Sequence, residues 1–163
     1  MEQTNMRRVF ADRLLEEMDR NERIFLLCGD LGYKMFDEIR DAYPKRFINV
    51  GAAEQAMLDI ACGLALDGKI PFCYSITPFL IYRPFETIRT YINKEKIGVK
   101  LVGSGRDKDY EHDGWSHDAT DVKGFLDQFP NITQYWPQEK QDIPQMLGQM
   151  LKDYGPSFIS LKR

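Results

Sequence analysis

A single carboxylate, Glu54, begins a predicted helix that is otherwise almost entirely apolar, in the stretch INVGAAEQAMLDIACGLAL (residues 48–66). An acidic side chain in a first helical turn is stabilised by the helix dipole, and this common role is one interpretation of Glu54. The dipole favours the ionised carboxylate, whereas apolar burial favours the neutral acid. A carboxylate under both influences can exchange a proton with a bound base, so Glu54 is also a candidate catalytic residue.

Three aromatic residues follow a predicted strand in YSITPFLIYRPFETIR (residues 74–89). Phe79, Tyr82 and Phe85 recur every three residues, and packing in the core is the ordinary role of such side chains. Pro78 and Pro84 frame the stretch and predict a loop rather than regular structure. Aromatic side chains on a loop at the edge of a sheet can also stack on a flat heterocycle.

Both histidines of the chain, His112 and His117, lie in the polar segment 106–120, together with Asp113 and other acidic residues. This segment is compatible with a solvated loop, or with a metal site, although its ligands follow no fixed spacing. A third interpretation is a polar lid in which His117 acts as an acid, a base or a hydrogen-bond donor. The GSG at residues 103–105 has neither P-loop nor dinucleotide-turn spacing.

Short apolar runs that alternate with helical patterns predict the elements that position these residues. The runs are RIFLLCGDLG, RFINVG, KIPFCYSIT, GVKLVGSG, NITQYWP and SFISLK. They predict an α/β fold with a mostly parallel six-stranded sheet and helices on both faces. Sites in such folds lie at the carboxyl ends of strands. Those ends carry Asp30, Gly51–Glu54, the segment 76–85 and the segment 104–118.

Composition limits the remaining function classes. The chain has 163 residues, and its length predicts a single domain over residues 1–163. Its net charge of −3 and the absence of a Lys/Arg block argue against nucleic-acid binding. No apolar run is long enough to cross a membrane, and the charged N-terminus does not resemble a signal peptide, which predicts a cytoplasmic protein. The three cysteines lie in apolar stretches, which predicts reduced core thiols.

Six motifs in one order resemble the pyrimidine-binding domain of transketolase-like, thiamine-diphosphate-dependent enzymes. The motifs are GDLG, RFINVGAAEQAMLDIACGLAL, YSITPFLIYRPFETIR, HDGWSHDATD, FPNITQYWPQEKQD and GPSFISLKR. The subfamily that the chain resembles most is the split transketolase, in which this section is a separate chain. The resemblance implies a thiamine-diphosphate-binding fold and a transferase that moves a two-carbon ketol unit between sugars or sugar phosphates.

The resemblance also implies roles for individual residues. Glu54 matches the glutamate that hydrogen-bonds the aminopyrimidine ring nitrogen and promotes the tautomer that activates the cofactor. Phe79 matches the aromatic residue that stacks on the pyrimidine, and Tyr82 and Phe85 would complete an apolar wall. Asp30, with its neighbour Leu31, matches a segment near the cofactor at the subunit interface. In the lid, Asp113 and His117 match residues that reach the hydroxyls and the developing oxyanion of the donor substrate.

Three positions differ from the transketolases that act on sugar phosphates. Gly105 occupies the place of a histidine, His112 that of a glutamate, and Trp136 that of an arginine that holds the substrate phosphate. The replacement at Trp136 argues against an ordinary pentose-phosphate substrate. The pattern YSITPFLIYRPFETIR…VGSG…SHDATD resembles split transketolase-like proteins found with sugar or surface-polysaccharide pathways.

The motifs for the second half of the cofactor site are absent from the sequence. No Gly-Asp-Gly…Asn motif is found, and the usual C-terminal domain is missing. The resemblance therefore implies a partner, a separate diphosphate-binding subunit that holds Mg²⁺ or Ca²⁺, in a heterotetramer with two of each chain. No metal ligand is expected in this chain itself.

Other functions stay open on the sequence alone. The same half-site serves other carboligases and 2-oxo-acid decarboxylases or dehydrogenases. A non-catalytic partner subunit could also keep the fold. Among α/β proteins in general, flavodoxin-like and nucleotide-binding proteins are the alternatives at the level of the fold.

Overall fold

A six-stranded sheet forms the centre of the computed structural model, which describes residues 5–163. The strands are β1 (Ile24–Cys28), β2 (Phe47–Asn49), β3 (Ile70–Ile76), β4 (Lys100–Ser104), β5 (Thr133–Tyr135) and β6 (Ser157–Leu161). They lie in the order β2-β1-β3-β4-β6-β5, and every neighbouring pair is parallel. The predicted α/β class and strand number are confirmed, and the sheet is entirely rather than mostly parallel.

Helices cover both faces of the sheet. They are α1 (Met6–Arg20), α2 (Asp37–Ala42), α3 (Glu54–Leu66), α4 (Thr77–Tyr82), α5 (Phe85–Thr87), α6 (Val122–Leu126) and α7 (Ile143–Lys152). The buried side chains of α1, α2 and α7 join one apolar cluster, and those of α3, α4 and α6 join a second one. Alternate strand residues point into the two clusters, since successive side chains of a strand face opposite sides. In β3, Phe72 and Tyr74 belong to the first cluster and Cys73 to the second.

The segment between the two prolines is a helix, so the predicted loop was wrong. Pro78 lies in the first turn of α4, where a residue without an N–H donor leaves no helical hydrogen bond unmade. Pro84 separates α4 from α5, and a wider π-helical turn (Ile88–Lys94) continues after α5. Phe79 is therefore held on a helix immediately after β3, which fixes its ring more firmly than a loop would.

Successive strands are placed toward opposite edges of the sheet on the two sides of the boundary between β1 and β3. Strand β2 lies outside β1, and the connection through α3 then crosses back over β1 to reach β3. Ligands of open α/β sheets bind in the crevice at such a switch point, outside the carboxyl ends of the strands. Glu54, the first residue of α3, lies at this crevice together with Gly29 after β1 and Ser75 in β3.

The three cysteines contribute to the core as thiols. Cys28, Cys62 and Cys73 are buried and free, as the sequence predicted. Burial raises the pKa of the Cys28 and Cys62 thiols to about 11, so both stay protonated at neutral pH.

Within residues 5–163, no helix combines the length and the apolar character needed to cross a bilayer.

Close packing around α4 depends on the absence of a side chain at Gly103. A methyl group added there would lie 2.5 Å from Thr77 Oγ1 and 3.0 Å from the Phe158 ring. We expect Gly103→Ala to lower the free energy of unfolding by about 1–3 kcal/mol, the usual effect of overpacking a core. Gly148→Ala is the matched control, because nothing lies within 4 Å of an added methyl in α7. Urea unfolding of both variants measures the difference, and equal stabilities would contradict it.

Candidate functional site

The Glu54 carboxylate is buried at the start of α3, with only 1% of its side chain exposed. Its Oε1 accepts a hydrogen bond from Ser75 Oγ at 2.8 Å, and its Oε2 accepts one from Arg83 Nη1 at 2.7 Å. Burial raises the pKa of Glu54, but the hydrogen bonds from Arg83, Ser75 and the backbone, together with the charge of Arg83, hold this pKa below its usual value. The carboxylate is thus ionised at neutral pH and is tied to two neighbouring elements.

Gly29 leaves room for this carboxylate at the end of β1. A methyl group added at Gly29 would lie 3.2 Å from Glu54 Oε1 and 3.3 Å from Ser75 Oγ. Any side chain at this position would therefore push Glu54 away from Ser75. The motif GDLG therefore contributes two residues of interest. Gly29 leaves space for Glu54, and Asp30 is the acidic residue that the resemblance implies near the cofactor.

Phe79 lies between a cation and an imidazole. The guanidinium carbon of Arg83 lies 3.8 Å from the centre of the Phe79 ring, close enough for a cation–π contact. The His117 ring meets Phe79 edge-on, with 4.8 Å between the ring centres. Arg83 thus contacts both Glu54 and Phe79, and Phe79 contacts His117. The structure therefore brings Glu54, Phe79 and His117 into one group.

Tyr82 and Phe85 contact a different set of rings. The Tyr82 and Phe85 rings both pack against Phe125 of α6, at 5.2 Å and 5.6 Å between ring centres. The Tyr82 hydroxyl donates a hydrogen bond to Asp121 Oδ1 at 2.7 Å. Burial, followed by the contact with Asp121, raises the pKa of Tyr82. These two residues form an aromatic surface beside the Glu54 group, and their predicted contact with the cofactor stays a prediction.

Asp30 belongs to a network that links the ends of β1 and β2. Its backbone adopts a left-handed conformation (φ 57°), which Asp tolerates better than most residues. Its N–H donates to Asn49 Oδ1 at 3.1 Å, and Asn49 Nδ2 donates to Asp30 Oδ1 at 3.3 Å. Asn49 Oδ1 also accepts from the Gly51 N–H. Leu31, next in the chain, packs against the first apolar cluster and lines a cavity on the α1 side of the strand ends.

The segment 106–120 forms two short 3₁₀ turns, Glu111–Asp113 and Trp115–His117, closed by a bridge between Asp107 and Ala119. His117 in the second turn reaches Phe79, whereas Asp113 in the first turn is exposed and pairs with His112 Nε2 at 3.3 Å. The predicted contact of Asp113 with a substrate stays a prediction. Within the described residues, no group of three or more His, Cys, Asp or Glu side chains converges as metal ligands would.

The Tyr110 ring fills the space beside Gly105. Gly105 has a left-handed backbone (φ 83°), and a methyl group added there would clash with this ring. The Tyr110 hydroxyl lies 3.0 Å from Ser104 Oγ and accepts a hydrogen bond from Arg7 Nη1 at 2.8 Å. Tyr110 therefore covers Gly105, the position at which the resemblance implies a histidine.

A cavity of about 530 Å³ opens beside Tyr110 on the α1 side of the strand ends. Three of its lining residues are basic, namely Arg7, Arg8 and Lys34. Arg8 is paired with Asp12 and Glu38, each at 2.8 Å. Arg7 is less satisfied, since its buried Nε has no hydrogen-bond partner within residues 5–163. The cavity therefore has a basic wall, which suits an anion.

The sequence interpretation missed Ser75, Arg83, Asn49 and Arg7. Ser75 had a usable signal, because it is a hydroxyl residue at a predicted strand end. Arg83 had another, since it is the only charged residue between Ser75 and Phe85. Asn49 and Arg7 had no distinguishing pattern, because their importance depends on contacts with residues far away in the chain.

Comparisons with known proteins point to one family. A family model described as the pyrimidine binding domain of transketolase matches residues 2–163. The 6-deoxy-6-sulfo-D-fructose transketolase subunit SqwH of Clostridium sp. (strain MSTE9) is 32% identical over 167 residues, covering 100% of this chain. A putative transketolase C-terminal section of Methanocaldococcus jannaschii is 29% identical over 159 residues, covering 97% of the chain.

A solved structure described as a split gene transketolase in an inactive beta4 tetramer superposes with a TM-score of 0.86, 29% sequence identity and 98% coverage of this chain. The match covers 51% of that chain. Coverage of the Clostridium and Methanocaldococcus proteins is 51% and 50%. This chain therefore spans about half the length of the relatives that it matches.

Proposed function

Because the chain belongs to the transketolase pyrimidine-binding domain family, we propose that it is the pyrimidine-binding subunit of a heteromeric, thiamine-diphosphate-dependent transketolase. Its single domain supplies the glutamate that activates the cofactor. The reaction is transfer of a two-carbon ketol unit from a ketose to an aldehyde acceptor. When bound, thiamine diphosphate supplies the nucleophilic carbon that adds to the ketose carbonyl and the electron sink for carbon–carbon cleavage.

The observation that carries this proposal is the pairing of a buried, ionised Glu54 with the face of Phe79. Both contact a single planar group with N–H donors, the Arg83 guanidinium. An aminopyrimidine ring is also planar and also presents nitrogen to a carboxylate. The chemistry of these two residues therefore fits the pyrimidine half of the cofactor. Glu54 would exchange a proton with the ring nitrogen, and Phe79 would hold the ring by stacking.

The remaining predicted residues would complete the site around this pair. His117, in edge contact with Phe79, would donate a hydrogen bond to the substrate oxygen on which negative charge develops. Asp113 would accept hydrogen bonds from substrate hydroxyls once the lid closes. Asp30 and Leu31 would border the cofactor where the partner subunit meets the ends of β1 and β2.

The diphosphate and its Mg²⁺ or Ca²⁺ ion require a second subunit in this proposal. One face of α3 is buried against the sheet, while the opposite face exposes Ile60 (42%) and Leu66 (75%). Exposed apolar residues on the helix that begins at Glu54 are suited to a subunit interface. The relative described as an inactive beta4 tetramer supports the inference that such a chain is inactive alone. A tetramer with two of each chain is the expected active form.

The basic cavity supports a phosphorylated substrate even though Trp136 replaces the arginine that transketolases use. Arg7 contributes a positive charge to the wall of this cavity, which lies at the carboxyl ends of β1, β3 and β4. A sulfonate is a chemically similar anion, and the Clostridium relative is named for a sulfosugar. We therefore propose a sugar that carries an anionic group at its far end.

Arg7→Gln tests this assignment in the reconstituted enzyme. We expect KM for a ketose phosphate to rise by about tenfold or more, because a charged hydrogen bond contributes roughly 1.5–3 kcal/mol. KM for the corresponding unphosphorylated ketose should stay unchanged. Steady-state kinetics with both substrates measures the difference. An equal effect on both would contradict anion binding by Arg7, and no ketol transfer with any ketose and aldehyde pair would contradict the proposed function.

A further inference from the structure

One side chain makes both contacts that the proposed function assigns to the cofactor ring. Arg83 Nη1 lies 2.7 Å from Glu54 Oε2, and the same guanidinium lies 3.8 Å from the centre of the Phe79 ring. A flat pyrimidine stacked on this face of Phe79 and bonded to this carboxylate would need the space that Arg83 fills. We propose that Arg83 occupies the pyrimidine subsite of the cofactor-free chain and is displaced when thiamine diphosphate binds. This inference rests on the proposed function.

The need for such an occupant follows from the burial of Glu54. An ionised carboxylate removed from water is costly unless it is paired. Ser75 satisfies one oxygen, and Arg83 satisfies the other and also supplies the compensating charge. Without a bound base, Arg83 therefore keeps the glutamate ionised and in place. It is a positioning residue, since it acts through Glu54.

The few contacts of the Arg83 side chain allow it to move away from the Glu54 carboxylate. Its side chain is 44% exposed, and its one hydrogen bond within the described residues is the bond to Glu54. Arg106 shows the contrast, because it is buried and bonds Ser160 twice and Pro137 once. Because the Arg83 guanidinium makes one hydrogen bond within residues 5–163 and is partly exposed to water, it can rotate outward without leaving buried N–H donors unpaired.

The backbone beneath Arg83 does not have to move for this exchange. Arg83 is the C-terminal cap of α4 in an ordinary helical conformation, and Pro84 fixes the chain immediately after it. The following segment is tied to α3, since Thr87 Oγ1 accepts from Gln55 Nε2 and donates to Asp59 Oδ1. The exchange is therefore confined to the side chain, while Phe79 and Glu54 keep their positions.

Removal of Arg83 should tighten cofactor binding. If the outward arrangement is populated about a tenth of the time, the apparent affinity of the wild type is reduced about tenfold. Arg83→Gln removes this competition, and we expect the reconstituted complex to bind thiamine diphosphate about tenfold more tightly. Arg83→Lys keeps a charge at Glu54 but has no planar group for Phe79, so its affinity should lie between those of Arg83→Gln and the wild type. Arg89→Gln is the control, because Arg89 is exposed and has no ion pair within residues 5–163.

Two measurements distinguish displacement of Arg83 by the cofactor from a purely structural role of Arg83. Calorimetric titration of thiamine diphosphate with Mg²⁺ gives the affinity of each complex, and thermal unfolding gives the stability of each isolated chain. We expect Arg83→Gln to lower the unfolding midpoint while it tightens binding, with Arg89→Gln unchanged in both.

The outcomes that overturn the two proposals are distinct. Binding by Arg83→Gln equal to or weaker than that of the wild type would overturn displacement of Arg83. If Arg83→Gln fails to fold, Arg83→Lys replaces it, and binding by Arg83→Lys no tighter than wild type would overturn displacement in the same way. A wild-type complex that binds no thiamine diphosphate would overturn the proposed function, and the role of Arg83 with it.

Discussion

Glu54→Gln should abolish nearly all ketol transfer by the reconstituted enzyme while it leaves the fold intact. Loss of a positioned proton acceptor typically lowers kcat by about 10²–10⁴-fold. A glutamine amide can still accept from Arg83 and contact Ser75, so the side chain keeps its place. It carries no charge and cannot exchange a proton with a ring nitrogen. The expected effect is therefore on kcat, with assembly of the two subunits preserved.

Steady-state kinetics and circular dichroism of the Glu54→Gln complex measure this prediction. Glu22→Gln is the control, because Glu22 is an exposed acid before β1, at the opposite end of that strand from the site. The control should match the wild type in kcat, in KM and in its unfolding midpoint. Near-normal activity of Glu54→Gln in a correctly assembled complex would show that Glu54 is not the catalytic acid–base group.

The isolated chain should show no ketol transfer above background, and activity should appear when a diphosphate-binding subunit is added. The partner to test is a polypeptide that carries a Gly-Asp-Gly…Asn motif and is encoded beside this chain. Activity should rise in proportion to added partner and level off at one partner per chain, because each site needs both halves. Full turnover by the purified chain alone would contradict the split site.

A variant on the exposed face of α3 tests whether assembly uses this surface. Ile60→Arg places a charge on a residue that is 42% exposed, so the isolated chain should fold normally. In the mixture, the buried charge should prevent assembly and with it the activity. Gln145→Arg is the control, since Gln145 is an exposed residue of α7, which packs on the opposite face of the sheet from α3. Sedimentation of the mixed subunits distinguishes the two variants, and normal assembly of Ile60→Arg would contradict this interface.

The sheet could be predicted because its signals are local in the chain. Apolar runs such as those around Leu26 and Phe72 identify buried strands, and the helical patterns between them require parallel pairing. The helix over residues 77–82 was missed because two prolines were taken as breaks in regular structure. Pro78 falls in the first helical turn, where proline is favoured, and this depends on a boundary that the sequence pattern does not locate.

The candidate site could be predicted only in part. Glu54 and Phe79 follow strands and match family motifs, and the structure brings them together. Their partner Arg83 was not identified, because its charge alone does not indicate a contact with a residue 29 positions away. Tyr82 and Phe85 share the three-residue spacing of Phe79, yet they contact Phe125 of α6, and Pro84 separates Phe85 from the helix that carries Phe79.

The most direct measurement is a calorimetric titration of thiamine diphosphate with Mg²⁺ into three samples, which are the chain alone, the diphosphate-binding subunit alone, and an equimolar mixture. A site shared between subunits predicts saturable binding by the mixture, at one cofactor per pair, and much weaker binding by either subunit alone. Binding by this chain alone as tight as that of the mixture would contradict the shared site.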